Sequence, residues 1–299
     1  MKKKLLFIGC NYNQIPYLKT LNKKEWKIVG VDKNKDAPGR ILCDEFYNVA
    51  YDDLKGLIEV GKKEKFEKHD RVFSAASQFA QKGAANFAFY FGINFPPEKS
   101  IDLCLNKTLF YQYFRKNNIP IPNTWYIKNK NDLKLKINST DAKNFFLKSD
   151  YSKNPNYVYK FNSDYIPLND IFWGYDRFRR KYYILQEEFK GTSLRLNIYG
   201  SRFNVFNFLT EKKTIRYHDT IKKFKIISTL RRFINDHKIG KFLLKFDIIL
   251  NNQSYVVLDI GLDPPMRMLK YSKQNNIKFE KYYLAHYISD KIRYPKILD

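Results

Sequence analysis

Short apolar runs separated by polar turns open the chain and predict a parallel sheet. Residues 4–8 form an apolar run that ends at the turn-prone Gly9, and residues 15–21 then carry apolar side chains at helical spacing. A second apolar run, 27–31, closes at Asp32. Because two strands joined through a helix run in the same direction with a right-handed crossover, this pattern predicts a βαβ unit.

The same alternation continues for one more unit and then stops at prolines. Residues 71–75 read as a strand and residues 78–91 as a helix. Residues 100–118 have the pattern of two helices, which Pro120 and Pro122 end, because proline lacks a backbone donor and restricts the residue before it. We place a domain boundary within this helical segment.

Beyond this boundary the chain changes to short β-rich runs with helices between and after them. Longer helices are predicted over 221–237 and 278–292. The predicted strands cover 125–127, 145–148, 157–161, 183–187, 194–199, 203–209, 243–250 and 255–260. We therefore predict an α/β protein in which a parallel-sheet domain, 1–104, is followed by an α+β domain, 105–299.

Composition supports a folded protein with anionic partners. Hydrophobic residues make up 44% of the 299 residues and aromatic residues 17%, which is too apolar for a disordered chain. The 55 Lys and Arg against 30 Asp and Glu give a formal net charge of +25, which attracts nucleotides, phosphorylated substrates or an acidic lipid surface. No block of five or six consecutive basic residues marks a tail, so a solvated basic surface explains the charge equally well.

Cysteine and histidine are too dispersed to predict a disulfide framework or a zinc site. Cys10, Cys43 and Cys104 are odd in number and lack CxxC spacing, which fits a reducing, cytoplasmic compartment. The four histidines are equally scattered, which disfavours a His metal cluster or a His-based triad.

The basic start of the chain, with its apolar stretch ending at Ile8-Gly9-Cys10, resembles a lipoprotein signal, but its apolar run is too short. Residues 5–8 are four apolar residues before Gly9, fewer than the roughly 7 to 15 of a leader, and fit a buried strand better. No run approaches the roughly 20 apolar residues of a membrane-spanning helix, so no transmembrane segment is expected.

The first turn superficially suggests a dinucleotide site. Gly9 follows a strand and precedes a helix, but the GxGxxG spacing is missing. Asp32 stands where a ribose-binding acid would sit, although an acid at a strand end equally serves as a loop cap.

Two lysines and a turn in the second half are better candidates for nucleotide contacts. Lys107 starts a helix and Lys148 ends an apolar strand, so both could place an ammonium against phosphate while their stems stay packed. Each lysine alone fits a surface position equally well. Residues 186–191, Gln-Glu-Glu-Phe-Lys-Gly, end a strand with acids and a turn, as in a connector that lines an adenosine pocket or in an edge-strand turn.

The sharpest feature is a hairpin that carries two acids. Residues 246–250 and 255–260 flank an Asn-Asn turn, and in a hairpin they pair Asp247 with Asp259. Carboxylates in apolar strands are costly unless they are paired or bind a metal, and Mg²⁺ requires hard oxygen ligands. The alternative is that both acids end their strands in water.

These elements, in this order, resemble the ATP-grasp superfamily over nearly the whole chain. Residues 1–104 resemble its Rossmann-like preATP-grasp domain, and Asn106-Lys107 followed by a helix and residues 118–122 is similar to the start of its ATP-grasp domain. Residues 146–148 match the segment of its second phosphate lysine. The resemblance divides the second domain into a nucleotide-binding part, about 105–190, and a metal and catalytic part, about 191–299.

The resemblance also implies roles for individual residues. Lys107 and Lys148 would hold the phosphates of ATP, and Lys148 would also act in catalysis. Asp247 and Asp259, with Asp263 as a compensating ligand, would carry one or two Mg²⁺. Arg267 would stabilise the transferring phosphoryl group or the acyl-phosphate. The adenosine segment would comprise Gln186, Glu187, Glu188, Phe189 and Ser193, with Glu187 and Phe189 meeting adenine through backbone groups.

The sequence departs from the superfamily pattern at the metal and phosphate positions. Asp259-Ile260-Gly261 stands where Glu-x-Asn is common, so one ligand is shorter and another is absent. Residues 149–157 contain no glycine, although this loop is usually glycine-rich. Ser193 lies near the position where the superfamily often has an acidic residue that binds ribose. Arg195 is an unexpected basic residue beside it.

The resemblance implies a cytoplasmic ligase that uses ATP and Mg²⁺ to join a carboxylate to an amine through an acyl-phosphate. Its substrates would be small anionic metabolites such as an amino acid or a sugar acid. A phosphotransferase on the same scaffold and a catalytically degenerate nucleotide-binding protein stay open. Nucleic-acid binding is disfavoured because no RNP-like, zinc-finger or helix-turn-helix signature occurs. Weak association with a membrane surface and a homodimer are both compatible with the charge and size.

Overall fold

The computed structural model describes residues 2–150, 158–166, 183–199, 202–207, 212–264 and 266–288. The strands are β1 Lys3–Ile8, β2 Trp26–Val31, β3 Glu45–Tyr47, β4 Arg71–Ser74, β5 Thr124–Ile127, β6 Asn144–Ser149, β7 Val158–Asn162, β8 Tyr183–Glu187, β9 Thr192–Tyr199, β10 Arg202–Asn207, β11 Leu244–Leu250 and β12 Tyr255–Gly261. The helices are α1 Ile15–Leu18, α2 Leu54–Lys63, α3 Ala80–Tyr90, α4 Glu98–Leu105, α5 Lys107–Lys116, α6 Lys130–Asn138, α7 His218–Lys223, α8 Ile226–Asp236, α9 Met266–Gln274 and α10 Phe279–Ile288.

The first four strands form the predicted parallel sheet. Their order is β3-β2-β1-β4, and each neighbouring pair is parallel. Leu5, Leu6 and Phe7 of β1 are fully buried, as expected for a strand whose two faces are both covered. The start of the chain is therefore a central strand of this sheet.

The later strands form two antiparallel sheets, as the α+β prediction requires. One sheet has the order β5-β8-β6-β7 and the other the order β10-β9-β11-β12. Buried and half-buried residues alternate along β6 and β11, because successive side chains of a strand point to opposite faces. The half-buried positions include Lys148 and Asp247, so each sheet presents one polar face.

Two features of the secondary structure differ from the sequence prediction. The helix predicted over 221–237 is broken into α7 and α8 at Lys225, whose φ of 54° is left-handed and interrupts the helical hydrogen bonding. The elements β3, α2, α6 and α9 were not predicted. Their sequences are short or polar, and α6, for example, buries only Leu133 and Ile137.

Helix α10 packs across the first sheet and links the two ends of the chain. The Tyr287 hydroxyl donates to Gln81 Oε1 at 2.7 Å, and the rings of Tyr287 and Phe73 lie 4.9 Å apart. Arg71 Nε on β4 donates to the Ile288 carbonyl at 3.0 Å. The predicted boundary at residue 104 falls inside α4, and the division into 1–104 and 105–299 stays a prediction.

Within the described ranges, no helix combines the length and the apolar character needed to cross a lipid bilayer.

Candidate active site

A row of charged side chains crosses three neighbouring strands of the second antiparallel sheet. Asp247 on β11 lies opposite Arg195 on β9 and opposite Asp259 on β12. Directly opposed residues of antiparallel strands project from the same face, so these three side chains share one surface. The apolar neighbours Phe246 and Ile248 are buried on the other face and fix this orientation.

Arg195 and Asp247 form a two-bond ion pair. Arg195 Nε donates to Asp247 Oδ1 at 2.6 Å, and Arg195 Nη2 donates to Asp247 Oδ2 at 2.6 Å. The two side chains are only 19% and 20% exposed. Burial opposes the charged form of Arg195, but the bonds and charge of Asp247 outweigh it and raise the pKa of the guanidinium. Arg195 therefore stays charged at neutral pH.

Lys107 reaches the other end of the row. Its ammonium lies 2.9 Å from Asp259 Oδ1, and the Lys107 side chain is 13% exposed while that of Asp259 is 44% exposed. Asn106 caps the N-terminus of α5 by accepting from the Leu109 amide, which explains why Lys107 begins the helix. The Lys107 amide donates to the Asp150 carbonyl at 2.9 Å, which ties the start of α5 to the end of β6.

Tyr111, one turn after Lys107, anchors α5 to β12. Its hydroxyl donates to the Leu258 carbonyl at 2.5 Å, directly before Asp259 in the chain. Burial, and then the negative charge of Asp259, raise the pKa of Tyr111 well above its ordinary value. Tyr111 therefore stays protonated and holds Lys107 and Asp259 in register.

Lys148 on β6 completes the cluster from the first antiparallel sheet. Burial, and then the positive charge of Lys107, lower the pKa of Lys148 to about 8, while Asp259 and Asp247 oppose this shift. Lys148 therefore interacts with the charges of Lys107 and of both aspartates, and the carbonyl of Asp150, two residues further along the chain, accepts from the Lys107 amide at 2.9 Å. Lys107, Lys148 and Arg195 supply three positive charges against the two carboxylates, so the site attracts a polyanion.

A third ion pair stands where the predicted metal site would continue. Asp263, predicted as a compensating ligand, accepts from Lys245 Nζ at 2.9 Å. Gly261 lies opposite Lys245, and a Cβ at position 261 would lie only 3.0 Å from Lys245 Nζ. The end of the Lys245 side chain therefore occupies the space beside Gly261.

The adenosine segment is held by its own side chains. Gln186 is buried and donates to Thr124 Oγ1 at 3.0 Å. Glu187 accepts from Asn123 Nδ2 at 2.8 Å and from the Thr140 hydroxyl. Glu188 Oε1 accepts from Lys160 Nζ at 2.5 Å. These bonds fix the backbone that leads out of β8.

The backbone amides of this segment are also engaged within the protein. The Glu187 amide donates to the Asn123 carbonyl at 3.1 Å, and the Glu188 amide donates to the Asn144 carbonyl at 2.9 Å. A base bound here would therefore use other backbone groups, such as the carbonyls or the amide of the half-buried Phe189. Ser193 lies two residues before Arg195 on β9 and shares its face.

Several sequence predictions fall at or beyond the edge of the described residues. Arg267 lies in α9, but its side chain is outside the described residues, as are positions 151–157 of the predicted phosphate loop. Asp32 caps the first turn, because Oδ2 accepts from the Cys10 amide at 2.7 Å and Oδ1 from the Asn34 amide at 2.9 Å. It thus has the loop-capping contacts that were the alternative to ribose binding.

Sequence reasoning missed the partners of the acids. It noted Arg195 only as an unexpected base, and it gave no role to Lys245 or Tyr111. The signal was present, because Arg195 and Asn197 alternate with apolar residues along β9, as Lys245 and Asp247 do along β11. Among the described residues, no cluster of three or more His, Cys, Asp or Glu side chains could hold a metal ion by itself.

No protein-family model and no curated protein sequence matches the chain. Solved structures do match it over nearly its whole length. N5-carboxyaminoimidazole synthetase from Staphylococcus aureus complexed with ADP superposes with a TM-score of 0.71 at 14% identity, covering 98% of this chain and 79% of that one. L-amino acid ligase from Bacillus licheniformis superposes with a TM-score of 0.70 at 12% identity, covering 96% and 74%.

Biotin carboxylase from Campylobacter jejuni, in its β-γ-ATP complex, is also similar. It superposes with a TM-score of 0.72 at 10% identity, covering 98% of this chain and 72% of that one. At these identities the likeness concerns the fold, and the fold is that of the ATP-grasp ligases. The expected fold, a parallel-sheet preATP-grasp region followed by an α+β ATP-grasp region, is thereby confirmed.

Proposed function

We propose that this chain is an ATP-dependent ligase that joins a carboxylate to an amine through an acyl-phosphate. The observation that carries the proposal is the convergence of Lys107, Lys148, Arg195, Asp247 and Asp259 from two sheets and a helix. The three cations outnumber the two carboxylates, and this positive charge suits a triphosphate. The five side chains come from distant parts of the chain, so it is the fold that brings them together. Similar folds that carry ADP and a β-γ-ATP complex support nucleotide as the ligand.

In this proposal the lysines bind the phosphates of ATP. Lys107 and Lys148 enter from the helix and from the first antiparallel sheet, so they approach a triphosphate from different sides. The negative charge of the triphosphate then replaces part of the electrostatic attraction between Lys107 and Asp259. The segment from Gln186 to Phe189 is preorganised by its own hydrogen bonds and lines the adenine pocket.

The donor set fits Mg²⁺ bound largely through phosphate oxygens. Mg²⁺ is commonly held by one or two carboxylates together with substrate phosphates, and Asp259, with its side chain 44% exposed, is the open carboxylate here. When bound, Mg²⁺ neutralises charge on the phosphate oxygens. Asp247 lies beside Asp259 in the row, and Arg267 of α9 is the predicted stabiliser of the transferred phosphoryl group.

The reaction needs positioning more than covalent chemistry by the protein. A substrate carboxylate oxygen attacks the γ-phosphorus, the bond to the β-phosphate oxygen breaks, and ADP leaves. The amine nitrogen of the second substrate then attacks the acyl carbon, phosphate leaves with the acyl-oxygen bond pair, and the nitrogen loses a proton. Lys107, Lys148 and Arg195 hold the phosphates in line and stabilise the charge that develops on them.

The test is ADP formation measured against paired panels of small carboxylates and amines, followed by mass analysis of the product. The proposal expects ADP release that requires both partners and a product whose mass is that of the two substrates less one water. ADP release without an amine, with a phosphorylated product, would assign a phosphotransferase instead.

A catalytically inactive nucleotide-binding protein is the second candidate, and one observation favours it. Asp247, Asp259 and Asp263 are each bonded to a cationic side chain, and Gly261 offers no side-chain ligand. Tight ATP binding without ADP formation across the panels would support this candidate and reject the ligase.

A further inference from the structure

We propose that Arg195 takes the place of a second divalent ion at Asp247, so that the nucleotide complex contains one divalent cation, held at Asp259. The inference rests on the proposed nucleotide-binding function. It concerns how the site neutralises charge, and it gives Arg195 a defined role beside the phosphates.

The geometry of Asp247 carries the first step. Both of its oxygens accept a hydrogen bond from the same guanidinium, each at 2.6 Å. Paired bonds between a guanidinium and a carboxylate are charge-assisted and geometrically specific, so they are among the stronger polar contacts of a protein. A metal ion at Asp247 would have to replace a contact that already uses both oxygens.

The two aspartates differ in how deeply their side chains are buried. The Asp247 and Arg195 side chains are 20% and 19% exposed, whereas the Asp259 side chain is 44% exposed. Removing Asp247 from Arg195 would leave a partly desolvated guanidinium without its counter-charge, which is costly. Asp259, bonded to the flexible ammonium of Lys107, can accept an ion at a lower cost.

The surrounding charges also disfavour a second divalent ion. A second ion at Asp247 would take its other oxygen ligands from phosphate and water, because position 261 is a glycine and the Lys245 Nζ beside it is bonded to Asp263. Two more positive charges would also be added next to Lys107, Lys148, Arg195 and Lys245. A guanidinium at Asp247 supplies positive charge at that end of the row without adding an ion.

The experiment counts divalent ions directly. The full chain is saturated with the non-hydrolysable analogue AMP-PNP and titrated with Mn²⁺, and free Mn²⁺ is followed by electron paramagnetic resonance. We expect one bound Mn²⁺ per protein in the wild type. Arg195→Gln releases Asp247 and is expected to raise the count to two. Arg195→Gln combined with Asp247→Asn is expected to return it to one.

Each outcome decides the inference. Two Mn²⁺ per wild-type complex would overturn it, as would a count of one in Arg195→Gln that is shown by its thermal melt to be folded. The wild-type count decides even if a variant does not fold. Failure of AMP-PNP to bind at all would instead reject the proposed function, so the two failures are distinguishable.

Discussion

Lys107 and Asp259 are 152 positions apart in the sequence, and the ammonium of one lies 2.9 Å from the carboxylate of the other. The contact joins the first residue of α5 to β12 of the second antiparallel sheet. Each residue is held by its own local structure, Lys107 by the capped helix start and Asp259 by pairing with Asp247. The candidate site therefore depends on correct packing of α5 against this sheet.

Replacing Asp259 by asparagine should remove activity and leave the fold intact. If Asp259 holds the divalent ion beside the transferred phosphate, ADP formation falls by about 10² or more. The ion pair with Lys107 involves a carboxylate that is 44% exposed, so its loss changes the unfolding free energy by about 1 kcal/mol or less. Asp141→Asn, at an exposed position, is the matched control. Full activity in Asp259→Asn would contradict the assignment.

Nucleotide binding should be coupled to protonation of Lys148. Its pKa of about 8 lies below the ordinary value for lysine, so near pH 8 the free protein carries this proton about half of the time. A bound polyanion favours the charged form and raises the pKa, so about half a proton is taken up at pH 8 and almost none near pH 6.5. Calorimetry in buffers of different ionisation enthalpy measures this uptake. Lys148→Arg, which stays charged, should show none of it.

Removing the Tyr111 hydroxyl should weaken both stability and positioning. Tyr111→Phe leaves the Leu258 carbonyl without its 2.5 Å donor, which costs about 1–3 kcal/mol of unfolding free energy. Urea denaturation gives this value. Tyr126→Phe is the control, since the Tyr126 hydroxyl donates to the Thr108 carbonyl over a longer 3.3 Å. Equal losses in the two variants would show that the Leu258 contact is not special.

Lys245 and Gly261 should be energetically coupled. A Cβ at position 261 would lie 2.4 Å from Lys245 Cε, so the end of this side chain must shift and Nζ loses its 2.9 Å contact with Asp263. Gly261→Ala should therefore cost more in the wild type than in a Lys245→Ala background, with a coupling of about 0.5–1 kcal/mol. A double-mutant cycle from denaturation curves measures the difference. Strict additivity would show that the two positions do not interact.

Gly9 should be far less tolerant of alanine than Gly240. Gly9 has a φ of +89°, and a Cβ there would lie 2.5 Å from the Cβ of Ala76. Gly9→Ala should destabilise the protein by about 1–3 kcal/mol. At Gly240 the nearest atom to an added Cβ is 3.8 Å away, so Gly240→Ala should change the unfolding free energy much less. Thermal or urea unfolding of the two variants, compared side by side, checks the difference.

Local patterns predicted much of this fold. The strand predicted over 183–187 is β8, with the same bounds, because an apolar run between polar turns has few alternatives. The hairpin of β11 and β12 pairs Asp247 with Asp259 as its sequence predicted. In each case, the residues that form the element lie close together in the chain, and sequence patterns are most informative over such short separations.

The ion pairs could not be found in the same way. Arg195 bonds to Asp247 because β9 lies next to β11, and that neighbour relation joins strands about 50 residues apart in the chain. Lys245 fills the space at Gly261 only once the register of β11 and β12 is set. The helix break at Lys225 could not be predicted either, because lysine does not favour the left-handed conformation that it adopts there.

The position of α10 has a consequence for how the chain folds as it is made. On the ribosome, β1 to β4 emerge long before residues 279–288, which supply Tyr287 to pack against Phe73 and Gln81. Until residues 279–288 have emerged, the nascent first sheet presents the aromatic surface that α10 later covers, which is of the kind that chaperones bind. Closure of the first sheet therefore waits for a helix whose Tyr287 is translated 206 residues after its partner Gln81.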